Sequence, residues 1–171
     1  MTPVAANAAI RLRSAVPEDE DFLFRLYCEV RASEFTLLPL SEEQKTQLIR
    51  MQYTAQQAAY QAEFPGSSYE VILLVDEPVG RIWIARTELA FHAVDIGLLP
   101  AARNVGIGTW LLKQLQIEAR AAGKPIHASV FRFNHGSLRF HQRLGFSICG
   151  EDAVQFHLEW SPAGNTPVVT A

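Results

Sequence analysis

The spacing of apolar residues predicts a first strand followed by a first helix. The segment IRLRSA, residues 10–15, alternates apolar with polar side chains, as a half-buried strand does. Residues 16–35 follow, with Pro17 and the acidic run EDED at their start, a composition typical of a helix N-terminus. In this helix Phe22, Leu23, Leu26, Tyr27 and Val30 form one apolar stripe.

A second helix is predicted between Ser41 and the pair Pro65–Gly66. Ser41 is a typical N-cap residue, and Gln44 three positions later completes a capping box. Proline and glycine in succession cannot continue the helix and therefore end it.

The middle of the chain carries three strand patterns. SYEVILLV (68–75) and GRIWIART (80–87) flank the turn residues DEPVG (76–80), which predicts a hairpin. FHAVDIGLLP (91–100) predicts a further strand that Pro100 stops.

The remaining segments alternate helices with strands. A long helix is predicted over residues 106–123 with Gly123 as its C-cap, and the strand PIHASVF covers residues 125–131. A short helix within residues 134–146 ends at Gly145, and two strands close the chain within residues 147–160. The order β-α-α-β-β-β-α-β-α-β-β predicts an α/β or α+β sheet covered by helices.

Length and charge narrow the domain organisation and the classes of partner. The 171 residues suit one domain, which we predict over residues 10–160, with disordered tails at residues 1–9 and 161–171. A formal charge of -3 implies no strong attraction to nucleic acid or to an anionic membrane. No apolar run approaches the ~20 residues of a membrane helix, and the first residues lack the pattern of a secretion signal. We therefore expect a cytoplasmic protein.

Two cysteines, Cys28 and Cys149, lie far apart in the sequence. We expect both to be buried reduced thiols, and a disulfide between them is the alternative. Two cysteines cannot form a zinc site alone.

The segment RNVGIG, from Arg103 to Gly108, places two glycines between a predicted strand and a predicted helix. A helix N-terminus exposes unpaired N–H groups and can bind phosphate, and glycine lets a ligand approach the backbone closely. A plain tight turn is the alternative. The segment lacks the third glycine of a dinucleotide fingerprint and the Lys-Ser or Lys-Thr pair of a P-loop, which excludes both of those sites.

The segment LLPAARNVGIGTWLL, residues 98–112, resembles the acetyl-CoA pyrophosphate loop of the GNAT N-acetyltransferase superfamily, whose pattern is [QR]-x-x-G-x-[GA] after a strand. NHGSLRFHQRLGF resembles its second signature, N-x-x-A-x-x-x-Y-x-x-x-G-F, at Asn134, Gly145 and Phe146, with Ser137 in place of alanine. The element order is also similar, so the resemblance covers most of the chain. It implies a mixed, mostly antiparallel sheet of about six to seven strands flanked by about four helices.

The resemblance further implies acetyl-CoA as cosubstrate and no metal. Backbone N–H groups from Val105 to Thr109 would bind the pyrophosphate. Arg103 occupies the Arg or Gln position, with a salt bridge that caps the turn as its alternative role. The thioester would lie where the strand before the loop splays away from the strand after the helix. A backbone N–H near Leu98 or Leu99 would donate a hydrogen bond to the acetyl carbonyl. The cofactor set is Leu98, Leu99, Arg103, Asn104, Val105, Gly106, Ile107, Gly108, Thr109, Asn134, Ser137 and Phe140.

Asn104 and Val105 stand where family members often carry a basic run. Asparagine tolerates left-handed dihedral angles, so the turn is expected to form. The missing lysine is expected to weaken CoA binding modestly.

Acetyl transfer to an amine requires a base, and the titratable residues on the strand before the loop are His92 and Asp95. They are three positions apart and would point to opposite faces of a regular strand. Histidine has an ordinary pKa of about 6.5, which suits a base near neutrality, whereas Asp95 would need burial. For each, a surface or paired residue is the alternative.

His141 occupies the position of the family's tyrosine, which donates a proton to the CoA thiolate. We expect it either to take over that role or to be a helix-surface histidine, with Phe140 making the packing contact.

The resemblance implies an enzyme that moves the acetyl group of acetyl-CoA to an amine by direct attack in a ternary complex. The alternative is a CoA-binding sensor or regulatory module with little turnover. The acceptor would be a small molecule or a peptide.

The sequence indicates the residues that bind the acceptor less strongly than those that bind the cofactor. In the second helix Tyr53, Tyr60 and Phe64 either line an acceptor pocket or belong to the core. Glu34 and Glu42 either attract a cationic amine or are simply solvated. The closing strand AVQFHLEW, residues 153–160, is a candidate edge for a homodimer.

Overall fold

The computed structural model describes residues 9–35 and 39–164. All predicted elements are present in the predicted order. The strands are β1 (Ile10–Ser14), β2 (Ser68–Leu74), β3 (Glu77–Arg86), β4 (Phe91–Leu98), β5 (Ile126–Phe131), β6 (Ser147–Glu151) and β7 (Gln155–Trp160). The α-helices are α1 (Glu20–Phe35), α2 (Glu42–Glu63), α3 (Ile107–Ala122) and α4 (His135–Arg143), with short 3-10 turns at Pro17–Asp19 and Pro100–Ala102.

The strands form a mixed seven-stranded sheet in the order β1-β2-β3-β4-β5-β7-β6. β1–β2, β5–β7 and β6–β7 pair antiparallel, and β4–β5 pair parallel. This confirms the predicted sheet. The expectation that AVQFHLEW forms an edge is wrong, because β7 is inserted between β5 and β6 and is hydrogen-bonded on both sides.

The chain divides into two compact units. The N-terminal unit comprises Met1–Trp83 and Asp95–Ile107, and the C-terminal unit comprises Ile84–Val94 and Gly108–Ala171. The prediction of a single domain over residues 10–160 stays a prediction, and the terminal segments 1–8 and 165–171 lie outside the described residues.

The core of the N-terminal unit is built from α1, α2 and β2. Leu23, Tyr27, Tyr53, Val71 and Leu73 form one buried cluster. The predicted stripe of α1 supplies part of this core, but Val30 at its end is 39% exposed. The capping box of α2 is confirmed, with Gln44 N–H donating to Ser41 Oγ at 3.2 Å and Ser41 N–H donating to Gln44 Oε1 at 3.0 Å.

The hairpin between β2 and β3 turns earlier than predicted. β3 begins at Glu77, so most of DEPVG belongs to the strand, and the turn consists of Val75 and Asp76. Both residues have positive φ angles, 51° and 66°, as a two-residue hairpin turn of the primed type requires. Valine is an unusual residue there, which is why composition pointed to the Pro-Gly segment instead.

The core of the C-terminal unit lies on one face of β5 and β7. Ile126, Ala128 and Val130 alternate with more exposed residues along β5, and Leu158 and Trp160 are buried on β7. The guanidinium of Arg120 in α3 lies 5.5 Å from the Trp160 ring centroid, so α3 lies on this buried face. Gly123, with φ of 66°, ends α3 as predicted.

Both cysteines are free thiols, so the alternative prediction of a disulfide between them is wrong. Cys28 is half-buried, whereas Cys149 is exposed because it lies on the edge strand β6. The expectation of two buried thiols is therefore wrong for Cys149. Among the described helices, none is long and apolar enough to cross a membrane.

Candidate active site

The glycine segment before α3 contains two residues in left-handed conformations. Asn104 has a φ of 61° and Gly106 a φ of 95°. A Cβ placed on Gly106 would meet no atom within 4 Å, so packing within the protein does not require glycine here. The left-handed backbone conformation does require it. Residues 103–106 are exposed, which leaves this segment open to a ligand.

Gly108, the second glycine, is required for a different reason. A Cβ at this position would lie 3.2 Å from Phe140 Cζ, closer than ordinary van der Waals contact. Gly108 therefore lets the first turn of α3 pack against the ring of Phe140 in α4. Phe140, which the resemblance assigns to the cofactor, has this packing contact in the protein.

Arg103 closes the turn through the main chain. Its Nε donates to the carbonyl oxygen of Leu98 at 2.9 Å, across the 3-10 turn. Arg103 therefore caps the turn, but by a hydrogen bond to a main-chain carbonyl and not by the salt bridge that was its alternative role. Leu99 N–H donates to the carbonyl oxygen of Val79 at 2.9 Å, so of the two N–H groups considered for the acetyl carbonyl, that of Leu99 is occupied.

The second motif stabilises α4 and the turn after it. The Asn134 side chain caps the helix, because its Oδ1 accepts from Ser137 N–H at 3.0 Å. Gly145 has a φ of 86°, and Phe146 is buried with 3% exposure. The three residues that match the family signature therefore each have a structural task within the C-terminal unit.

His141 is buried, with 8% of its surface exposed, so the expectation of a helix-surface histidine is wrong. Its Nδ1 lies 2.9 Å from the Ser137 carbonyl oxygen, which can only accept, so Nδ1 carries the proton. Its ring meets Phe140 and Phe146 edge to face at centroid distances of 5.2 and 5.3 Å. Burial lowers the pKa of His141 against the opposing effect of the Ser137 hydrogen bond, so the neutral form is favoured.

Asp95 is engaged in an ion pair that the sequence did not indicate. Its Oδ2 accepts from Arg81 Nε at 2.7 Å, with side-chain exposures of 22% for Asp95 and 4% for Arg81. Gln56 Oε1 accepts from Arg81 Nη2 at 3.2 Å. Asp95 is therefore a paired residue, as one of its alternatives predicted.

Tyrosine side chains lie near the Arg81 guanidinium. Its Cζ lies 5.6 Å from the Tyr27 ring centroid, and its Nη1 is buried without a hydrogen-bond partner among the described residues. Burial lowers the pKa of Arg81, but the Asp95 carboxylate and nearby tyrosines more than offset this effect, so the pKa is raised overall. Burial raises the pKa of Tyr60 to about 12, and the charge of Asp95 adds to that rise.

His92 lies in the C-terminal unit among other titratable groups. Its ring meets His127 of β5 edge to face, with centroids 5.3 Å apart. His127 Nε2 in turn lies 3.2 Å from Glu159 Oε2 of β7. Arg81, His127 and Glu159 were not selected from the sequence, because no local pattern shows which strands are neighbours.

The residues proposed to bind the acceptor lie in different environments. Tyr53 is 3% exposed and packs edge to face on Phe24 and Tyr27, as a core residue does. Glu42 is exposed and accepts from Lys45 at 2.9 Å. The side chain of Glu34 lies outside the described residues. Among the described residues, no group of three or more His, Cys, Asp or Glu is placed to hold a metal ion.

Comparison with known proteins gives a family and a fold. The model of the acetyltransferase (GNAT) family matches residues 31–146. No curated protein matches the chain by sequence.

Solved structures share the fold at low sequence identity. PaiA N-acetyltransferase from Thermoplasma acidophilum in complex with coenzyme A is 20% identical, with a TM-score of 0.67 over 89% of this chain and 98% of that one. An acetyltransferase from Thermus thermophilus is 18% identical, with a TM-score of 0.63 over 90% and 97% of the two chains. Arabidopsis thaliana Naa50 in complex with the bisubstrate analogue CoA-Ac-MVNAL is 17% identical, with a TM-score of 0.56 over 90% and 99%.

Proposed function

The chain belongs to the acetyltransferase (GNAT) family, and on that premise we propose that it transfers the acetyl group of acetyl-CoA to an amine acceptor. The observation that carries the proposal is the exposed segment before α3, in which Gly106 takes a left-handed conformation with open space around it. N–H groups at the start of a helix have no partner within the helix and attract anions. The pyrophosphate of acetyl-CoA is the anion we assign to Val105–Thr109.

The oxyanion that forms during attack needs a donor that is not already engaged. Leu99 N–H is bonded to Val79 of β3, and successive N–H groups of a strand point to opposite edges, so Leu98 N–H points away from β3 and we assign the acetyl carbonyl to it. The Arg103 contact to the Leu98 carbonyl supports this assignment, because it fixes the backbone of that residue.

We assign uptake of the amine proton to water, because neither titratable residue of β4 is placed to take it. The Asp95 carboxylate is already engaged in an ion pair with the buried guanidinium of Arg81. His92 lies six residues before Leu98 on the same strand, about 20 Å along an extended chain, which is out of reach of an amine that attacks the acetyl carbonyl at Leu98.

The reaction proceeds by direct attack in a ternary complex. The amine nitrogen forms a bond to the acetyl carbon, the carbon–sulfur bond breaks, and the electron pair goes to sulfur as the CoA thiolate. Water takes the proton from nitrogen. In its neutral form His141 has its one N–H bonded to the Ser137 carbonyl, so we assign protonation of the thiolate to water and a supporting role in α4 to His141.

The acceptor is a small molecule or a peptide with a primary amine. Naa50, a solved structure with the same fold, is bound to an analogue that joins CoA to a peptide, which supports a peptide N-terminus as one class to test.

The test is to incubate the protein with acetyl-CoA and a panel of amines that includes a polyamine, an amino acid, an aminoglycoside and a peptide. Thiol release is followed together with the mass of the acceptor, since hydrolysis of acetyl-CoA also releases thiol. We expect an acetylated product with at least one amine. Acetyl-CoA binding without product from any amine would favour a sensor, and absence of binding would overturn the proposal.

A further inference from the structure

A serine, a histidine and an aspartate of the C-terminal unit are joined by hydrogen bonds in that order. Ser129 Oγ lies 3.2 Å from His157 Nδ1, and His157 Nε2 lies 3.1 Å from Asp152 Oδ2. Ser129 on β5 is in register with His157 on β7, so both side chains project from the same face of the sheet. Asp152 lies between β6 and β7 and reaches the other nitrogen of the histidine ring. We call these three residues the Ser129 triad.

The contacts fix the tautomer of the neutral histidine ring. A carboxylate oxygen can only accept, so the proton is on Nε2 of His157, and Nδ1 keeps its lone pair. The Ser129 hydroxyl is then the donor to Nδ1. A hydroxyl within hydrogen-bond reach of a base, whose other nitrogen is oriented by a third group, is the arrangement that activates a serine nucleophile.

The main chain holds the carboxylate of the triad in place. Asp152 Oδ1 accepts from Val154 N–H at 2.7 Å and from Gln155 N–H at 2.8 Å. These two hydrogen bonds hold the pKa of Asp152 below its usual range, so the carboxylate is charged near neutrality. A charged and oriented carboxylate stabilises the imidazolium that forms when the histidine takes a proton.

The triad is open to solvent, and this limits the substrates that it fits. Ser129 is exposed, and the side chains of His157 and Asp152 retain 43% and 51% exposure. Water would stabilise the oxyanion formed on attack at such a site, whereas donors in an enclosed site stabilise it far more strongly. The substrates that suit this site are therefore activated esters, whose leaving group departs without a proton.

We propose that Ser129 is a nucleophile that hydrolyses small activated esters, with His157 as its base and Asp152 as the residue that orients His157. The Ser129 oxygen forms a bond to the acyl carbon while its proton moves to Nδ1 of His157. The bond to the leaving oxygen breaks, the electron pair departs with that oxygen, and His157 gives its proton to solvent. Water then attacks the Ser129 ester with His157 again as base, which releases the acid and restores the serine.

The test is incubation of the protein with p-nitrophenyl acetate in the absence of CoA. Nitrophenolate release is followed by absorbance. Acetylated residues are located by peptide mass mapping, since the exposed Cys149 and surface amines also react with this ester. The triad variants are Ser129→Ala, His157→Gln and Asp152→Asn, and circular dichroism reports that each variant is folded.

The matched control is His127→Gln. His127 lies on β5 beside the triad and also bonds a carboxylate, with its Nε2 3.2 Å from Glu159 Oε2 and 41% exposure of both side chains. The control therefore removes a histidine–carboxylate pair of the same kind and exposure from the same strands. It is expected to form the acetyl ester of Ser129 within about twofold of the wild-type rate.

The triad variants are expected to differ from the control. Ser129→Ala is expected to lose the modification at this position, and His157→Gln to slow it at least about a hundredfold, the lower end of what a positioned base contributes. Asp152→Asn is expected to slow it by at least about tenfold, because the carboxylate no longer fixes the tautomer of the base.

A wild-type protein that carries no acetyl group on Ser129, or equal rates of its modification in wild type and His157→Gln, would overturn this inference. Neither result touches the proposed function, because the assay contains no CoA and no amine acceptor.

Discussion

Replacing Asp95 by asparagine is expected to destabilise the protein strongly, because it leaves the guanidinium of Arg81 buried without its counter-charge. Arg81 Nε and Asp95 Oδ2 lie 2.7 Å apart, and the Arg81 side chain is only 4% exposed. Removing one partner of a buried ion pair costs about 3–5 kcal/mol. Asp95 retains 22% exposure, so we expect the lower end, about 3 kcal/mol.

A loss of about 3 kcal/mol corresponds to a fall in Tm of roughly 6–12 °C for a chain of this size. The measurements are thermal unfolding and urea unfolding followed by circular dichroism. The matched control is Glu118→Gln, because the Arg86–Glu118 pair has the same 2.7 Å separation but side-chain exposures of 40% and 46%. An exposed pair contributes about 0–1 kcal/mol, so the control is expected to change little.

The double variant Arg81→Met with Asp95→Leu distinguishes loss of charge balance from loss of packing. Apolar residues of similar volume often replace a buried pair without loss of stability, so the double variant is expected to be more stable than Asp95→Asn. Equal stability losses in Asp95→Asn and Glu118→Gln would refute the reasoning, since burial of Arg81 would then have no energetic consequence.

Two further predictions concern stability. Gly80→Ala is expected to cost about 1–3 kcal/mol in urea unfolding, because its Cβ would lie 2.4 Å from the Gly97 carbonyl oxygen, whereas Gly150→Ala, with its nearest atom at 3.7 Å, is expected to cost less; equal losses would contradict this. Burial lowers the pKa of His141, so the unfolded chain binds more protons below about pH 6.5, and wild type is expected to lose up to about 1.4 kcal/mol per pH unit from there downward. His141→Asn, which keeps a donor but cannot titrate, is expected to have a flatter profile of stability between about pH 7 and pH 5, and parallel profiles would count against the explanation.

Local signals predicted the elements well. The capping box at Ser41 and the left-handed glycine at Gly123 are both found, since each depends only on residues within a few positions. The turn at Val75–Asp76 escaped prediction because its residues carry no glycine or proline signal.

The candidate site was predicted from the sequence only where its residues are close together along the chain. The segment from Arg103 to Gly108 was identified from its spacing, but the ion pair of Asp95 with Arg81 depends on packing between separate elements. Likewise, Glu159 meets His127 only because β7 is inserted beside β5, ahead of β6. Non-local strand order of this kind leaves no trace in the local pattern of a single sequence.

The central claim is that acetyl-CoA binds at the N-terminal end of α3, and calorimetric titration of two valine variants tests it most directly. Gly106 and Gly123 stand at opposite ends of this helix, both with positive φ, 95° and 66°, and both with no atom within 4 Å of an added Cβ. Gly106→Val and Gly123→Val therefore impose comparable backbone strain, of about 1–2 kcal/mol. The account predicts that Gly106→Val loses at least about tenfold in acetyl-CoA affinity while Gly123→Val binds like wild type, a difference of about 1.4 kcal/mol or more. Unchanged acetyl-CoA affinity in a folded Gly106→Val protein would contradict the account.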